Sequence, residues 1–239
     1  MQKPLQTYDL SDADLELERP RVTLAEVAAD KLREFILLEK LPPGAAISER
    51  EVSSALGISR TPLRGALAML EQDGLVEYTV TRRPRVADPS VGEITDSLVV
   101  MGAIEALGGE LACVAASDAE IARVSELDAK MREGTDTFEP LEFFKTDMAM
   151  HETIIHASGN AALIETHRHY NARLWRARFI SSRRSAGRDQ TLREHGDIAS
   201  ALASRDPMAT AEAMRAHLGS AIENIKTALA ERAQSRKRR

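Results

Sequence analysis

The sequence contains a single cysteine, Cys113, among 239 residues. One thiol excludes an intramolecular disulfide and any zinc module built on cysteines, so a metal ion in this chain would have to be held by nitrogen and oxygen. Aromatic residues make up only 4% of the chain. This scarcity disfavours a β-sandwich or barrel, whose strands draw on Tyr, Phe and Trp, and favours helices rich in Ala, Leu, Arg and Glu.

The sequence also lacks a targeting signal and a long apolar run. A secretory signal begins with basic residues followed by an apolar core. The first twenty residues are instead acidic, with carboxylates at Asp9, Asp12, Asp14, Glu16 and Glu18. The longest apolar run, Leu98 to Ile104, contains a glycine and is too short to span a bilayer. We therefore expect a cytoplasmic protein with no membrane partner.

The chain is longer than one small hydrophobic core usually organises, and 43% hydrophobic residues provide core material, so two domains are expected. The formal net charge of −5 argues mildly against a nucleic-acid partner. The charge is unevenly distributed, however. The stretch Val52 to Leu70 has no acidic residue but contains Arg60 and Arg64, and further arginines follow at positions 82, 83 and 85. This pattern indicates a local basic face on an acidic protein.

Three short helices are predicted in the first part of the chain. Apolar residues at helical spacing from Thr23 onward predict a first helix that ends near Glu39. The sequence 48–51 matches a capping box and predicts a second helix, which Gly57 would end in the left-handed conformation. Hydroxyl caps and a first-turn proline in 59–62 predict the start of a third helix.

Two short helices joined by a glycine turn, the second with arginines in its first turns, match a helix-turn-helix that places a recognition helix in the major groove. Gly74 ends the third helix, and alternating strands over 75–80 and 85–87 flank an arginine-rich turn, which predicts a wing. Arginines on a helix surface are usually solvated charges. The ordered combination nevertheless favours DNA binding over that simpler interpretation.

These residues resemble the DNA-binding domain of the GntR family of bacterial transcription regulators. The motifs that carry the resemblance lie within residues 22–87: Pro43-Gly44, Ser48-Glu49-Arg50-Glu51, Leu56 through Arg64, Ala66-Leu67, and Leu70 with Gly74-Leu75-Val76. The family usually has glycine after the wing arginine, whereas this chain has Arg83 and then Pro84, so the wing is expected to sit differently and to gain a phosphate contact. The resemblance implies DNA contacts by five residues: Arg50, Arg60, Thr61, Arg64 and Arg82. Ser59, before the third helix, and Arg83, at the departure in the wing, complete the set of candidate DNA-contacting residues.

Beyond Pro89 the pattern is helical throughout. Six helices are predicted, over Val91 to Ala116, Asp118 to Arg132, Pro140 to Ala157, Ala161 to Ser182, Gln190 to Ala203 and Pro207 to Arg232. The first of these contains small residues, including Gly102, Gly108 and Gly109, that permit close helix–helix approach. We expect this helix to form a dimer or inter-domain contact.

Four residues of this helical part suggest metal-binding chemistry. Asp147 and His151 stand four apart on one helix face, although such a pair alone is more often a surface pair or a core histidine. His195 and His217 lie in phase with apolar residues on two other helices. The three histidines are therefore either independent core residues or one convergent site. A carboxylate with three imidazoles suits zinc, nickel, manganese or iron and leaves coordination positions for a ligand.

Residues 91–229 resemble the helical effector domain of the FadR-type (FCD) branch of GntR regulators, in its metal-containing version. That resemblance implies a divalent ion, with zinc as first choice, held by Asp147, His151, His195 and His217. Branch members often carry an arginine where this chain has Met101-Gly102, so another cation or a less charged ligand is expected. Arg173 and Arg176 are candidate cations, although exposed arginines are the commoner explanation. The remaining histidines match no ligand position and are interpreted as polar or packing residues: His156, His167 and His169.

Together these observations predict a mainly α protein with an acidic arm (1–21), a winged helix-turn-helix domain (22–88), an all-helical bundle that binds metal and ligand and dimerises (89–231), and a frayed basic tail (232–239). The function they imply is a homodimeric regulator, more often a repressor in such families, whose affinity for operator DNA depends on a small organic acid at the metal. Two alternatives remain, a sensor of the metal ion itself and a metal-dependent hydrolase. No nucleophile–base pair accompanies the ligands, so an enzyme is not expected.

Overall fold

The computed structural model describes residues 22–183 and 188–237, with side chains described as far as Glu231. The predicted acidic arm, residues 1–21, lies outside the described residues. The first domain contains three helices followed by a two-stranded antiparallel wing: α1 (Leu24–Leu37), α2 (Glu49–Leu56), α3 (Arg60–Gln72), β1 (Val76–Tyr78) and β2 (Pro84–Val86). The predicted winged helix-turn-helix is therefore confirmed.

The helix ends follow the predicted turn chemistry with two differences. Gly57 and Gly74 both adopt positive φ, as a left-handed turn after a helix requires. The Ser48 hydroxyl accepts from the Glu51 amide at 3.3 Å, but the described bonds do not include the return bond of a full capping box. Ser59 occupies the position before α3, yet its hydroxyl makes no cap bond. The predicted hydroxyl cap at Ser59 was therefore wrong, and its side chain stays exposed instead.

The first domain has its own core, in which α1 packs on α3. Leu32, Leu63 and Leu67 are among its buried residues. At the edge of this core, Arg33 donates from Nε and Nη2 to Oδ2 of Asp73 at 3.0 and 2.6 Å. Asp73 is a buried carboxylate at the C-terminal end of α3, where the helix dipole disfavours negative charge, so the guanidinium of α1 compensates it and fixes the end of α3.

The wing is shorter than predicted. Val76 pairs with Val86 and Tyr78 with Pro84, and the turn between the strands places Arg82 at φ 57°. A non-glycine residue in this left-handed region is uncommon. Arg82 thus adopts a backbone conformation that glycine adopts more readily.

As far as it is described, the second domain is a bundle of six helices, and the predicted fold class is confirmed. Its bounds agree with the prediction for most elements: α4 (Val91–Ala115), α5 (Asp118–Glu133), α6 (Pro140–Ala157), α7 (Ala161–Ser182), α8 (Arg188–Ala203) and α9 (Pro207–Lys237). Helix α9 continues past the predicted end at Arg232. The basic segment is thus helical as far as Lys237, and the prediction of a frayed tail was wrong for that part.

Helix α4 is the central helix of the bundle and packs most extensively on α9. By length and apolar composition it is the one described helix that would suffice to cross a membrane. Its buried side nevertheless faces α6, α7 and α9, as in the core helix of a globular domain. Gly108 lies against Ile155, and Gly109 against Thr210 and Met214. These two glycines therefore provide close packing inside the bundle, and the dimer or inter-domain contact expected for this helix stays a prediction.

Helix α7 contacts the first domain, as does α6, whose Phe144 and Met148 pack with Leu37 of α1. Arg173 lies against Gly74, close enough that a Cβ there would clash with its side chain. Arg176 Nη1 lies 3.8 Å from Glu39, and its Nη2 lies 3.6 Å from Asp88 in the linker. Both arginines therefore hold the two domains together, and neither replaces the missing ligand-binding arginine.

Candidate metal centre and DNA-binding surface

The structure brings together the four residues that the sequence proposed as ligands. Asp147 and His151 lie one turn apart on α6, His195 comes from α8 and His217 from α9. The Nε2 atoms of His151 and His195 both lie 3.3 Å from Oδ1 of Asp147. One nitrogen from each of the three imidazoles lies within 4.8 Å of the others. Three helices separated in sequence thus contribute to one buried cluster.

Several atoms at the centre of this cluster lack a hydrogen-bond partner. Asp147 Oδ1, His151 Nε2 and both ring nitrogens of His195 are buried and form no hydrogen bond among the described residues. The 3.3 Å contacts of Asp147 with the two Nε2 atoms are charge contacts without hydrogen-bond geometry. Buried polar groups in proteins are normally hydrogen-bonded, because an unpaired one costs about 1–3 kcal/mol. The oxygen and nitrogen atoms of these side chains converge without hydrogen bonds, so a bound cation would supply the interactions that they lack. The residues present therefore fit a divalent metal ion of borderline softness.

Two carboxylates outside the cluster orient its histidines. Oε2 of Glu105 lies 2.6 Å from Nδ1 of His151, and Oε2 of Glu194 lies 3.0 Å from Nδ1 of His217. Ser220 donates to Glu194 at 2.6 Å and fixes that carboxylate in turn. A carboxylate on Nδ1 leaves Nε2 directed toward a metal, the arrangement common in histidine metal sites.

Sequence reasoning missed both carboxylates as functional groups. Glu105 carries a sequence signal, since it is the one acidic residue between Asp96 and Glu110 in an apolar helix, and it is completely buried. A buried carboxylate is rare unless it is paired. Glu194 precedes a predicted ligand but looks like any exposed helical glutamate, so only the fold could identify it.

The charges in the centre are strongly coupled. Burial alone would raise the pKa of the Glu105 carboxyl, but the charges of His151 and Arg178 hold that pKa well below its usual range. Burial would also lower the pKa of His151, yet the carboxylate of Glu105 outweighs it and raises that pKa to about 9. His217 behaves oppositely, because burial and the charge of His195 lower its pKa to about 4. Without a metal, His151 is thus an imidazolium between carboxylates at neutral pH, while His217 is neutral.

A small cavity of about 60 Å³ adjoins Asp147 and His217. Arg178 and Arg188 both line it. Arg178 donates to Glu105 at 3.0 Å and is thus already paired with a carboxylate. Neither arginine was selected from the sequence, because arginines near a helix end look like solvated charges until the fold turns them inward. The same cavity is thus lined by two of the proposed metal ligands and by two arginines.

The seven residues proposed to contact DNA are all exposed, and they lie on α2, on the N-terminal turns of α3 and on the wing. The Nε of Arg64 donates to Oε2 of Glu49 at 2.9 Å. This contact from α2 holds one recognition-helix guanidinium in a defined orientation. An exposed helix N-terminus with free hydroxyls and arginines suits phosphate and base contacts.

Comparison with known proteins agrees with this two-part organisation. The family described as "Bacterial regulatory proteins, gntR family" matches residues 24–86, and the family described as "FCD domain" matches residues 96–220. The first match covers the helix-turn-helix and the wing. The second covers the four proposed ligands and most of the bundle.

Individual relatives point the same way. An HTH-type transcriptional regulator in an unstable DNA locus of Streptomyces ambofaciens is 32% identical over 82% of either chain. The HTH-type transcriptional repressor RspR of Escherichia coli is 26% identical and covers 82% of this chain and 86% of its own. Among solved structures, E. coli McbR/YncC superimposes with a TM-score of 0.75 at 17% identity, over 86% of this chain and 98% of its own. At that identity the last similarity supports the fold alone.

Proposed function

Because the chain belongs to the GntR family of bacterial transcription regulators and carries an FCD-type effector domain, we propose that it is a cytoplasmic homodimeric repressor controlled by a small organic acid. In this proposal the acid binds at a divalent metal ion in the helical domain and changes the affinity for operator DNA. The observation that carries the proposal is the convergence of unpaired buried atoms from Asp147, His151 and His195 next to a cavity with cationic walls.

The metal would be held by Asp147, His151, His195 and His217. When bound, a divalent cation supplies an electrophilic centre that attracts a carboxylate oxygen. Glu105 and Glu194 orient His151 and His217 from outside. The proposed ligands offer three imidazole nitrogens and one carboxylate oxygen, and zinc commonly takes four such ligands in tetrahedral geometry, so zinc is our first choice. Nickel, manganese and iron are the alternatives.

Operator recognition is assigned to α3 and the wing. Arg60 and Arg64 lie four residues apart and share one helix face, from which a guanidinium reaches base edges or phosphates in the major groove. Arg82 and Arg83 lie in the wing and suit the adjacent backbone or minor groove. The proposal that the protein represses transcription is supported by relatives such as RspR, which is named a transcriptional repressor.

A second copy of this chain is the proposed occupant of the outer face of α4. This face is apolar and solvent-exposed in the single chain, although a helix that is apolar all round is normally buried. The exposed fractions of its residues range from 41% to 80%, at Val99, Val100, Leu107 and Val114. A two-fold contact through this face would place two recognition helices on two half-sites of one operator.

Helix α7 is the proposed connection between ligand and DNA. It carries Arg178 at the cavity, and Arg173 and Arg176 at the contact with the first domain. A ligand that shifts α7 in the bundle would also shift its contact with the DNA-binding domain. Such coupling is worth about 1–3 kcal/mol in typical allosteric proteins, or roughly 5- to 150-fold in operator affinity.

The proposal is tested with purified protein and an operator selected from genomic fragments. Elemental analysis should find one divalent metal per chain, and the double variant H195A/H217A should lose it, whereas H156A, at an exposed histidine outside the cluster, should keep it. Fluorescence anisotropy should then show that organic acids change operator affinity of the wild type but not of H195A/H217A. Full metal occupancy in the double variant would refute the metal site. Operator release that follows metal exchange, with no effect of any acid, would instead establish metal sensing.

A further inference from the structure

In the part of the chain that the structure describes, one guanidinium in the cavity has no carboxylate partner. Arg188 lies over the ring of Phe143, with its Cζ 4.7 Å from the ring centroid, and donates from Nη1 to the carbonyl of Thr135 at 2.6 Å. Its Nε is buried, and among the described residues it has no hydrogen-bond partner. The stack and the carbonyl bond hold the side chain in place, while one donor edge stays unused.

Two other arginines with buried or partly buried guanidinium groups are paired with carboxylates. Arg178 meets Glu105 at 3.0 Å, and Arg33 meets Asp73 at 2.6 Å. Within the described residues no carboxylate lies within salt-bridge distance of Arg188. The four residues that precede it in sequence, 184–187, are Arg, Ser, Ala and Gly and include no acid. The cavity also contains the carboxylates of Asp147 and Glu194, but neither lies within salt-bridge distance of Arg188. A partly buried cation without a paired anion is costly, so the free donor edge of Arg188 suits an anionic group of a ligand.

The position of Arg188 relative to the proposed metal ligands follows from α6. Phe143, Asp147 and His151 succeed one another at intervals of four, so they lie along one face, with one helical turn of about 5.4 Å between neighbours. The guanidinium of Arg188 stacks on the first of these, and the metal ligands are the second and third. Asp147 thus lies about one turn, and His151 about two turns, from the residue on whose ring the guanidinium stacks.

We infer that the effector carries two anionic groups, a carboxylate that meets the metal and a second carboxylate that pairs with Arg188. This inference rests on the proposed function and specifies its ligand class. The separation of about one turn matches a chain of roughly three to five carbons at about 1.5 Å per bond. A cavity of about 60 Å³ has room for only a few water-sized centres, which also favours a short dicarboxylate.

Arginine is suited to this role because its planar fork pairs with a carboxylate through two charge-assisted hydrogen bonds. A monocarboxylate of the same length would bury a methyl group against the unused donor edge and leave the cation unpaired. We expect the dicarboxylate to bind about 10- to 100-fold more tightly than its monocarboxylate counterpart.

The test uses zinc-loaded full-length protein and isothermal titration with matched pairs of acids, malonate with propionate, succinate with butyrate, and glutarate with valerate. At least one dicarboxylate should bind 10-fold or more tightly than its partner. Arg188→Gln should reduce that ratio to within about twofold, and Arg188→Lys should restore part of it. Arg183→Gln removes one positive charge from the neighbouring, exposed end of α7 and should leave the ratio unchanged. Zinc content and thermal unfolding of every variant show that the metal site and the fold persist.

The outcomes separate this inference from the proposed function. Equal affinity for each mono- and dicarboxylate pair, or a dicarboxylate preference that survives in Arg188→Gln, overturns the two-anion effector. The metal-centred effector site would then still stand, provided that H195A/H217A abolishes carboxylate binding. If no acid binds to the zinc-loaded wild type at all, the proposed function fails and the inference fails with it.

Discussion

His151 on α6 and Glu105 on α4, 46 positions apart in sequence, are joined by a buried contact of 2.6 Å between Nδ1 and Oε2. The carboxylate fixes the ring so that its Nε2 faces Asp147. It also raises the pKa of His151 to about 9. The same contact therefore orients a proposed metal ligand. It also stabilises the protonated imidazole of His151, which must lose its Nε2 proton when a metal binds.

Metal binding should release about one proton at pH 7. The pKa of His151 is raised to about 9, so this ring is protonated in the metal-free protein at pH 7 and must lose the proton from Nε2. His217, with a pKa lowered to about 4, is already neutral and contributes none. Isothermal titration of metal into metal-free protein, in buffers of different ionisation enthalpy, measures the number directly. A binding enthalpy that is independent of the buffer would contradict the assignment of His151.

Glu105→Gln should weaken metal affinity by about 10- to 100-fold, the usual effect of losing an outer carboxylate. It should also destabilise the fold by about 3–5 kcal/mol, because Arg178 then remains buried without its anion. Competition with a chelator measures the affinity, and denaturant unfolding measures the stability. Glu110→Gln, on the same helix but only half-buried, is the matched control and should change neither. Wild-type metal affinity in Glu105→Gln would show that the carboxylate serves packing alone.

Arg60→Ala and Arg64→Ala should each weaken operator binding by about 1–3 kcal/mol if the side chain contacts a base through two hydrogen bonds. Both residues are exposed, so folding should be unaffected. Arg123→Ala, at an exposed arginine on α5, controls for the loss of one positive charge. Fluorescence anisotropy with the operator and with a scrambled duplex separates specific from electrostatic effects. Normal operator affinity in both variants would remove α3 as the recognition helix.

Arg176→Gln should uncouple the effector from DNA and leave both binding sites intact. This side chain links α7 to Glu39 of the first domain and to Asp88 of the linker, so its loss weakens the contact through which a shift of α7 would be transmitted. The effector-dependent change in operator affinity should fall several-fold, toward no change. Arg168→Gln, an exposed substitution on the same helix, should retain the response.

The single tryptophan of the chain, Trp175, provides an optical readout for the same test. It packs edge-on against Phe144, with ring centroids 5.4 Å apart, and adjoins α1 of the first domain. Effector binding should alter its fluorescence in the wild type and in Arg168→Gln. A full DNA response in Arg176→Gln would show that the signal does not pass through this contact.

Much of this architecture could be predicted from the sequence, because it depends on local physics. Helical spacing of apolar residues, glycines at left-handed turns and breaks between helices predicted the winged helix-turn-helix and the six-helix bundle. The motif around Arg60 and Arg64 indicated DNA binding in spite of a net charge of −5. The lone Cys113 restricted any metal site to nitrogen and oxygen ligands, and it lies buried in the bundle core.

Long-range pairing was decided only by the tertiary structure. Spacing placed Asp147 and His151 on one face of one helix, but their convergence with His195 and His217 depends on how three helices pack. The sequence does not distinguish an exposed arginine from one at a domain contact or one that lines a cavity, because the side chain carries the same charge in all three places. Their surroundings differ, and these depend on the folded chain. Arg176 lies between the domains, Arg178 pairs with Glu105, and Arg188 lies in the cavity with no described carboxylate at salt-bridge distance.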